Sequence, residues 1–228
     1  MPSERFYINA DLQEGKTVAL TDLELHHLAH VMRTRINEEV ELVNGRGSLA
    51  TARLTSLSKK EALLEPLTVS HTPIPTPRLI LGIPLMRPAK LELIVEKSTE
   101  LGADAFWFYP AEYSEKNDLS PNQLERLNYL AISAMKQCGR LDLPPIKLLK
   151  KFTDLFTTSA TYLFGDTRPG ASSPSKVQGQ HFFFISGPEK GFSPKELHLL
   201  DQKAQRISLN KNILRAETAP LAATCLLN

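Results

Sequence analysis

Phe182-Phe183-Phe184-Ile185 is a short apolar run that breaks off abruptly at Ser186-Gly187-Pro188 and leads on to Ser193-Pro194-Lys195-Glu196. Four consecutive apolar residues bounded by turn formers read as a buried strand. The tetrapeptide that follows reads as a helix start. Ser193 suits the N-cap, Pro194 the first helical position, and Glu196 completes an S-x-x-E capping box. Strand, glycine turn and helix in that order leave backbone N–H groups exposed where the sheet ends. Open α/β sheets bind ligands in that crevice, beyond the carboxyl ends of their strands. Ile207-Ser208-Leu209 repeats the plan as a strand, followed by a loop over 210–216 and an apolar run around Leu221-Ala222-Ala223.

The same alternation runs back to residue 78. Strands are expected at Leu79–Ile83, Ala105–Tyr109, Ile146–Leu149 and Thr161–Phe164. One helix passes through Leu91, Ile94, Val95 and Leu101 and closes at Gly102. A longer one starts at Ser120-Pro121, carries Leu124, Leu127 and Ala134 on one face, and ends at Gly139. Arg168–Gln180, rich in Pro, Gly and Ser, reads as a mobile loop. Regular βα alternation predicts an α/β domain with a mostly parallel sheet and helices on both faces.

The first seventy residues differ. Val18–Leu20, Glu39–Val43, Ser48–Leu54 and Ala62–Leu67 are short strand candidates, interrupted by one helix that Thr21-Asp22-Leu23-Glu24 would start. Leu25, Leu28 and Val31 or Met32 recur at helical spacing. A small barrel with one helix is the expected package. Pro73, Pro75 and Pro77 then favour an extended, semi-rigid linker. The expected division is therefore 1–72, a linker at 73–77, and 78–228.

Charge separates the two parts. Residues 1–77 hold 8 Lys/Arg against 10 Asp/Glu, net −2, and residues 78–228 hold 19 against 15, net +4. A weakly basic second part permits an RNA partner without demanding one. Lys136, Arg140, Lys147, Lys150 and Lys151 crowd into one stretch, which reads equally well as an ordinary solvated face. Two cysteines, Cys138 and Cys225, give no disulfide framework, and Met1–Ala10 lacks a signal-like apolar region. The expected compartment is the cytoplasm. No apolar run approaches the roughly 20 residues that span a bilayer.

Several chemistries lack their signatures. No G-x-G-x-x-G follows a strand and no G-x-x-x-x-G-K-[ST] is present. His26, His27 and His30 have no partners that would complete a zinc set, so no metal is expected. Three loops, Phe164-Gly165-Asp166, Ser186–Gly191 and Leu209–Ala219, should instead meet at one sheet edge. Gly187 and Gly191 would let the backbone approach a flat ligand, with Leu209, Ile213 and Leu214 covering its face.

Several segments together carry a family resemblance. They are Arg5-Phe6, His26 to Arg33, Glu96 to Ala103, Gln137-Cys138-Gly139-Arg140, Gly187 to Ser193, and Ile213 to Ala219. In order and spacing the chain resembles the bacterial small-subunit rRNA uridine-N3 methyltransferases of the SPOUT superfamily. The resemblance implies a PUA-like, RNA-binding β-barrel followed by a trefoil-knotted α/β domain that forms a homodimer. It implies S-adenosyl-L-methionine as cofactor and N3 of one uridine in small-subunit ribosomal RNA, free or in the assembled subunit, as target. By position, the cofactor residues would be Phe164, Gly165, Ser186, Gly187, Pro188, Glu189, Gly191, Leu209, Asn210, Ile213, Leu214, Thr218 and Ala219. RNA contacts would be Arg5, His27, His30, Arg33 and, near a dimer seam, Arg140.

Arg215 is the candidate for stabilising charge on the target base, and Glu189 or Glu217 for accepting a proton or orienting that base. Three residues depart from the family pattern. Lys190 stands where glycine is usual and would be strained at positive φ; Asn210 also replaces a glycine; Ala216 replaces a threonine. Two other readings stay open. One is a non-catalytic RNA-binding or ribosome-assembly relative whose pocket Lys190 blocks. The other is methylation of uridine C5 through a cysteine nucleophile.

Overall fold

The computed structural model describes residues 5–74, 76 and 78–228. Pro75 and Pro77, two of the three linker prolines, lie outside the described residues. The chain divides into two units. The first comprises 5–74 together with Ile132–Leu143, and the second holds the rest.

In the first unit the elements are β1 (Arg5–Tyr7), β2 (Val18–Leu20), α1 (Asp22–His26), β3 (Glu39–Val43), β4 (Ser48–Leu57) and β5 (Ala62–His71). They form a mixed five-stranded sheet in the order β1-β3-β4-β5-β2, curled into a half-barrel. β1 runs parallel to β3; the other pairings are antiparallel. Alternation along β4 buries Ala50, Ala52 and Leu54, which pack with Phe6, Leu28, Leu42 and Leu64. β5 continues past Leu67 to His71, whose Nδ1 lies 3.2 Å from the Ser48 hydroxyl.

The helix of this unit is not one regular α-helix. α1 ends at His26 and His27–Met32 form a π-helical stretch that stops at Arg33 with φ 58°. Of the two alternatives at helical spacing, Met32 packs against the core with Leu25 and Leu28, and Val31 is exposed. Thr21 makes no side-chain cap. Glu24 accepts instead from the Tyr7 N–H at 3.1 Å and from Lys136 Nζ at 2.6 Å.

The second unit is built on β6 (Leu79–Pro84), β7 (Ala105–Tyr109), β8 (Ile146–Leu148), β9 (Thr161–Gly165), β10 (Phe182–Ile185) and β11 (Gln205–Ile207). Every pairing is parallel, in the order β11-β9-β10-β6-β7-β8. β10 enters between β9 and β6, two strands laid down before it. All four of its residues are buried, and each fully buried Phe contributes about 1.5–3 kcal/mol. α2 (Pro88–Glu100), α3 (Pro121–Cys138), α4 (Pro194–Lys203) and α5 (Thr218–Leu227) complete the unit, except that the last turns of α3 belong to the first. The expected strand at Ile207–Leu209 is shifted: β11 ends at Ile207 and frees Leu209 for the loop. The stretch from Arg168 is not featureless. Ser172 bridges to Ile207, and Pro174–Lys176 form a 3-10 turn.

α4 shows the expected capping box. The Ser193 Oγ accepts from the Glu196 N–H, and Glu196 Oε2 accepts from the Ser193 N–H at 2.8 Å. Glu196 does more than cap, because its Oε1 accepts from the Glu112 N–H at 2.9 Å and so ties α4 to the loop after β7. Glu196→Ala should therefore cost about 2 kcal/mol, lowering Tm by about 4–8 °C. Exposed Lys195→Ala should change stability by less than about 0.5 kcal/mol. Thermal denaturation of both variants checks this.

Candidate active site

Three loops leave the carboxyl ends of β9, β10 and β11 and enclose one cavity of about 720 Å³. That lies within the range of about 300–1,000 Å³ common for small-molecule sites. Its apolar walls are Phe164, Phe184, Phe192, Leu197, Leu209 and Leu214.

The middle loop starts from a firmly held residue. Ser186 is buried; its N–H donates to the Gly82 carbonyl at 3.0 Å, and its own carbonyl accepts from the Tyr109 hydroxyl at 2.5 Å. Burial, with the charge of Glu196 second, pushes the Tyr109 hydroxyl well above its usual range and keeps it a neutral donor. Beyond Ser186 the chain turns tightly, with the Gly191 N–H donating to the Pro188 carbonyl at 2.8 Å. Gly191 takes φ 77°, whereas Lys190 and Asn210 do not adopt positive φ. The strain expected for lysine is thus absent, because its neighbour carries the left-handed residue. A Cβ on Gly187 would meet the Phe192 ring at 3.1 Å, so a side chain there would push on the cavity wall.

The third loop is held at both ends. The Ser208 N–H donates to Ser172, and the Thr218 and Ala219 N–H groups donate to Arg215 as α5 begins. Asn210 Oδ1 accepts from the Asn212 N–H at 2.9 Å in a side-chain turn. Arg215 is exposed on the cavity lining, and Ile213 is 83% exposed beside it.

Charges alternate around the cavity. Lys90, from the first turn of α2, lies 2.9 Å from Glu189 and 3.0 Å from Glu217. The second contact is an ion pair outside hydrogen-bond geometry, since Glu217 Oε2 is buried without a hydrogen bond. Burial alone would raise the Glu217 carboxyl, but its own backbone N–H, Lys90 and Arg215 together lower it. On the β9 side, Asp166 is nearly buried between Arg168 at 2.7 Å and Arg206 at 3.6 Å. Burial pushes it up, and the hydrogen bonds and charge of Arg168, with Arg206, outweigh that.

Of the expected cofactor residues, all but Thr218 line this cavity; Thr218 is exposed at the first position of α5. The candidates Arg215, Glu189 and Glu217 line it as well. Lys90, Asp166 and Arg168 line it too, and no local motif announces Lys90 or Arg168. The RNA candidates sit in the first unit. His27 is half-buried against Phe6, His30 is exposed against His26, and Arg33 is exposed. Arg5 is paired with Glu41 at 2.6 Å and Arg140 with Asp142, both largely buried. The basic cluster divides between the units: Lys136 and Arg140 pair with acids in the first, while Lys147 lies over the Trp107 ring in the second. Both cysteines are exposed. Among the described residues no group of three His, Cys, Asp or Glu is placed to hold a metal, and no helix is long and apolar enough to cross a membrane.

A ligand site at the carboxyl edge of a parallel sheet, joined in sequence to a curled β-unit, defines the class in structural terms. Comparison with known proteins makes it specific. A family model described as an RNA methyltransferase domain matches residues 72–228, and one described as an RNA methyltransferase PUA domain matches 20–67. A Synechocystis protein named Ribosomal RNA small subunit methyltransferase E is 30% identical over 93% of this chain and 73% of its own. One of the same name from Rickettsia conorii is 28% identical over 98% and 94%. The crystal structure of the Neisseria gonorrhoeae protein of that name, bound to S-adenosyl methionine, superposes with TM-score 0.86 at 31% identity, covering 97% and 94%. A Legionella pneumophila methyltransferase structure shares the fold, with TM-score 0.91 at 22% identity over 100% and 97%. The chain belongs to the ribosomal RNA small subunit methyltransferase E family. Its fold is accordingly that of the SPOUT methyltransferases preceded by a PUA-like unit.

Asp166 makes a pH test of the site's β9 wall. Its lowered carboxyl contributes stability that is present above the ordinary value of 3.8 and lost as pH falls through the folded value. Asp166→Asn should lower Tm by about 2–4 °C near neutrality, for about 1 kcal/mol. The gap should close on acidification below about pH 4, which a pH series of melting curves would check.

Proposed function

We propose that this chain transfers a methyl group from S-adenosylmethionine to N3 of a uridine in small-subunit ribosomal RNA. The observation that carries this reading is the single cavity at the carboxyl ends of β9, β10 and β11, lined by the Ser186–Gly191 and 208–217 loops. Its residues fit the donor. Apolar walls suit an adenine face, tight turns bring backbone groups to the edge, and Glu189 and Glu217, two carboxylates sharing one lysine, suit a ligand carrying positive charge. When bound, the donor supplies an electrophilic methyl group on a sulfonium. This chain's residues do the rest. Phe164-Gly165, Ser186–Gly191 and Leu209–Ala219 would hold the donor and keep bulk water from it. Arg215, exposed at the mouth, would stabilise the charge that develops on the uracil as its N3 proton leaves. Glu189 and Glu217 both pair with Lys90 on the cavity lining, which suits them to orienting the base or taking that proton.

The first unit would contact the RNA through the His27–Arg33 stretch, with Arg5 and Arg140 acting from their ion pairs. Residues 73–77 would mark the boundary between the RNA-reading and catalytic parts. The chain would act as a homodimer in the cytoplasm. α2 and α5 pack on each other and leave Leu93, Leu101 and Leu226 exposed, as a self-association surface requires. Lys190 is exposed and does not line the cavity, which weighs against a blocked, non-catalytic relative. Neither cysteine lines it, which weighs against C5 chemistry.

Arg215→Ala should lower single-turnover methylation by about 10²–10³-fold while donor affinity stays within about threefold. Full activity in a folded Arg215→Ala protein would contradict the assignment. Mass-spectrometric mapping of small-subunit rRNA from cells lacking the protein should show one uridine unmodified.

A further inference from the structure

Lys90 sits in an unfavourable place for a lysine. The first turn of α2 carries the positive end of the helix dipole and holds no acidic residue. Two carboxylates from separate loops offset this: Glu189 from the turn after β10 and Glu217 from the residue before α5. Since Nζ is 2.9 Å from one and 3.0 Å from the other, their nearest oxygens lie no more than about 6 Å apart. At that spacing two carboxylates in a partly buried wall oppose each other's ionisation. Removing the ammonium between them would make loss of the pair's second proton harder.

We propose that Lys90 is a positioning residue of the methyl-donor site: it clamps Glu189 and Glu217 together as anions, so that this cluster of three groups carries one net negative charge toward a cationic ligand. The inference rests on the cofactor reading given above. The other charged groups around the pair are Arg215 on the Glu217 side and Arg87 on the Glu189 side, with Glu115 held by Arg87 and Lys190 close to Glu115. Arg87 is bonded to Glu115 in two places, so Lys90 is the cation that bridges Glu189 and Glu217. The depressed Glu217 carboxyl agrees with this arrangement, its own backbone N–H and Lys90 overcoming burial. A cluster of one net negative charge favours the sulfonium donor over its uncharged thioether product. Lys90 thereby sets how strongly the site discriminates between them.

Two readouts test the clamp. The first needs no ligand. Without Lys90, raising the pH ionises two unshielded carboxylates, so the Tm gap between wild type and Lys90→Met should widen by about 2–4 °C from about pH 5 to about pH 8. A gap constant with pH would mean that Lys90 only packs, and would overturn the proposal. The second is calorimetric binding of S-adenosylmethionine and S-adenosylhomocysteine, which share an amino-acid tail, so their affinity ratio cancels its titration. In wild type and Lys90→Arg the ratio should hold within about twofold over that range. In Lys90→Met the preference for the sulfonium should fall about three- to tenfold on acidification, as one carboxylate is neutralised. Should Lys90→Met not fold, Glu217→Gln keeps Lys90, leaves the cluster with no net charge, and should prefer the sulfonium about three- to tenfold less than wild type at every pH. An unchanged ratio in either variant overturns the clamp. Failure of wild type to bind the donor would instead overturn the cofactor reading, with the ligand-free Tm series still deciding the clamp.

Discussion

A buried hydrogen bond of 2.5 Å, from the Tyr109 hydroxyl to the Ser186 carbonyl, decides where the central strand lets go. Tyr109 ends β7, two strands away from β10, and its ring is wholly buried. Ser186 is also bonded to Gly82 within β6, through its N–H and its hydroxyl. Three strands thus agree on one residue as the last fixed point, in an environment where hydrogen bonds are strong and unpaired groups costly. The backbone is released at Gly187, with no slack before the turn that closes at Gly191. Everything the cavity needs from β10 follows from that placement.

Rigidity below and charge above give the site its character. Beneath the loops, Phe164, Phe183 and Phe184 are fully buried and Phe164 meets Phe192 edge to face. Above them, each acidic group on the lining has a basic partner: Asp166 has Arg168, and Glu189 and Glu217 share Lys90. Arg215 differs, having no carboxylate within ion-pair distance among the described residues. An arginine left available at the mouth of a cavity is suited to meeting charge that arrives with a substrate. Under the proposed reading, the paired charges would shape the pocket, and Arg215, outside ion-pair distance of any carboxylate among the described residues, would face the reaction.

Much of this could be read from residues alone, for identifiable reasons. The strand–turn–helix at 182–196 is local, because its apolar run, glycine, proline and capping box lie within a few residues of each other. The cavity's loops were legible for the same reason. Lys90 and Arg168 were not, since each matters through partners distant in sequence: Glu189 and Glu217 for one, Asp201 for the other. The π-helical turn at His27–Met32 escaped for another reason. Leu25, Leu28 and Met32 still pack in the core at helical spacing, but residue types could not choose between Val31 and Met32, and Val31 is the exposed one. β1 is three residues long and gains its identity only by pairing with β3. The reach of Ile132–Leu143 into the first unit depends on contacts such as Lys136 with Glu24, which no periodicity encodes.

The claim on which the rest depends is that the loops after β9, β10 and β11 enclose a methyl donor. A crystal structure of the protein grown with S-adenosylmethionine tests this most directly. Donor density bounded by Phe164-Gly165, Ser186–Gly191 and Leu209–Ala219 is the predicted result. A clear map with this cavity empty at saturating donor, or with the donor bound elsewhere on the chain, would contradict it.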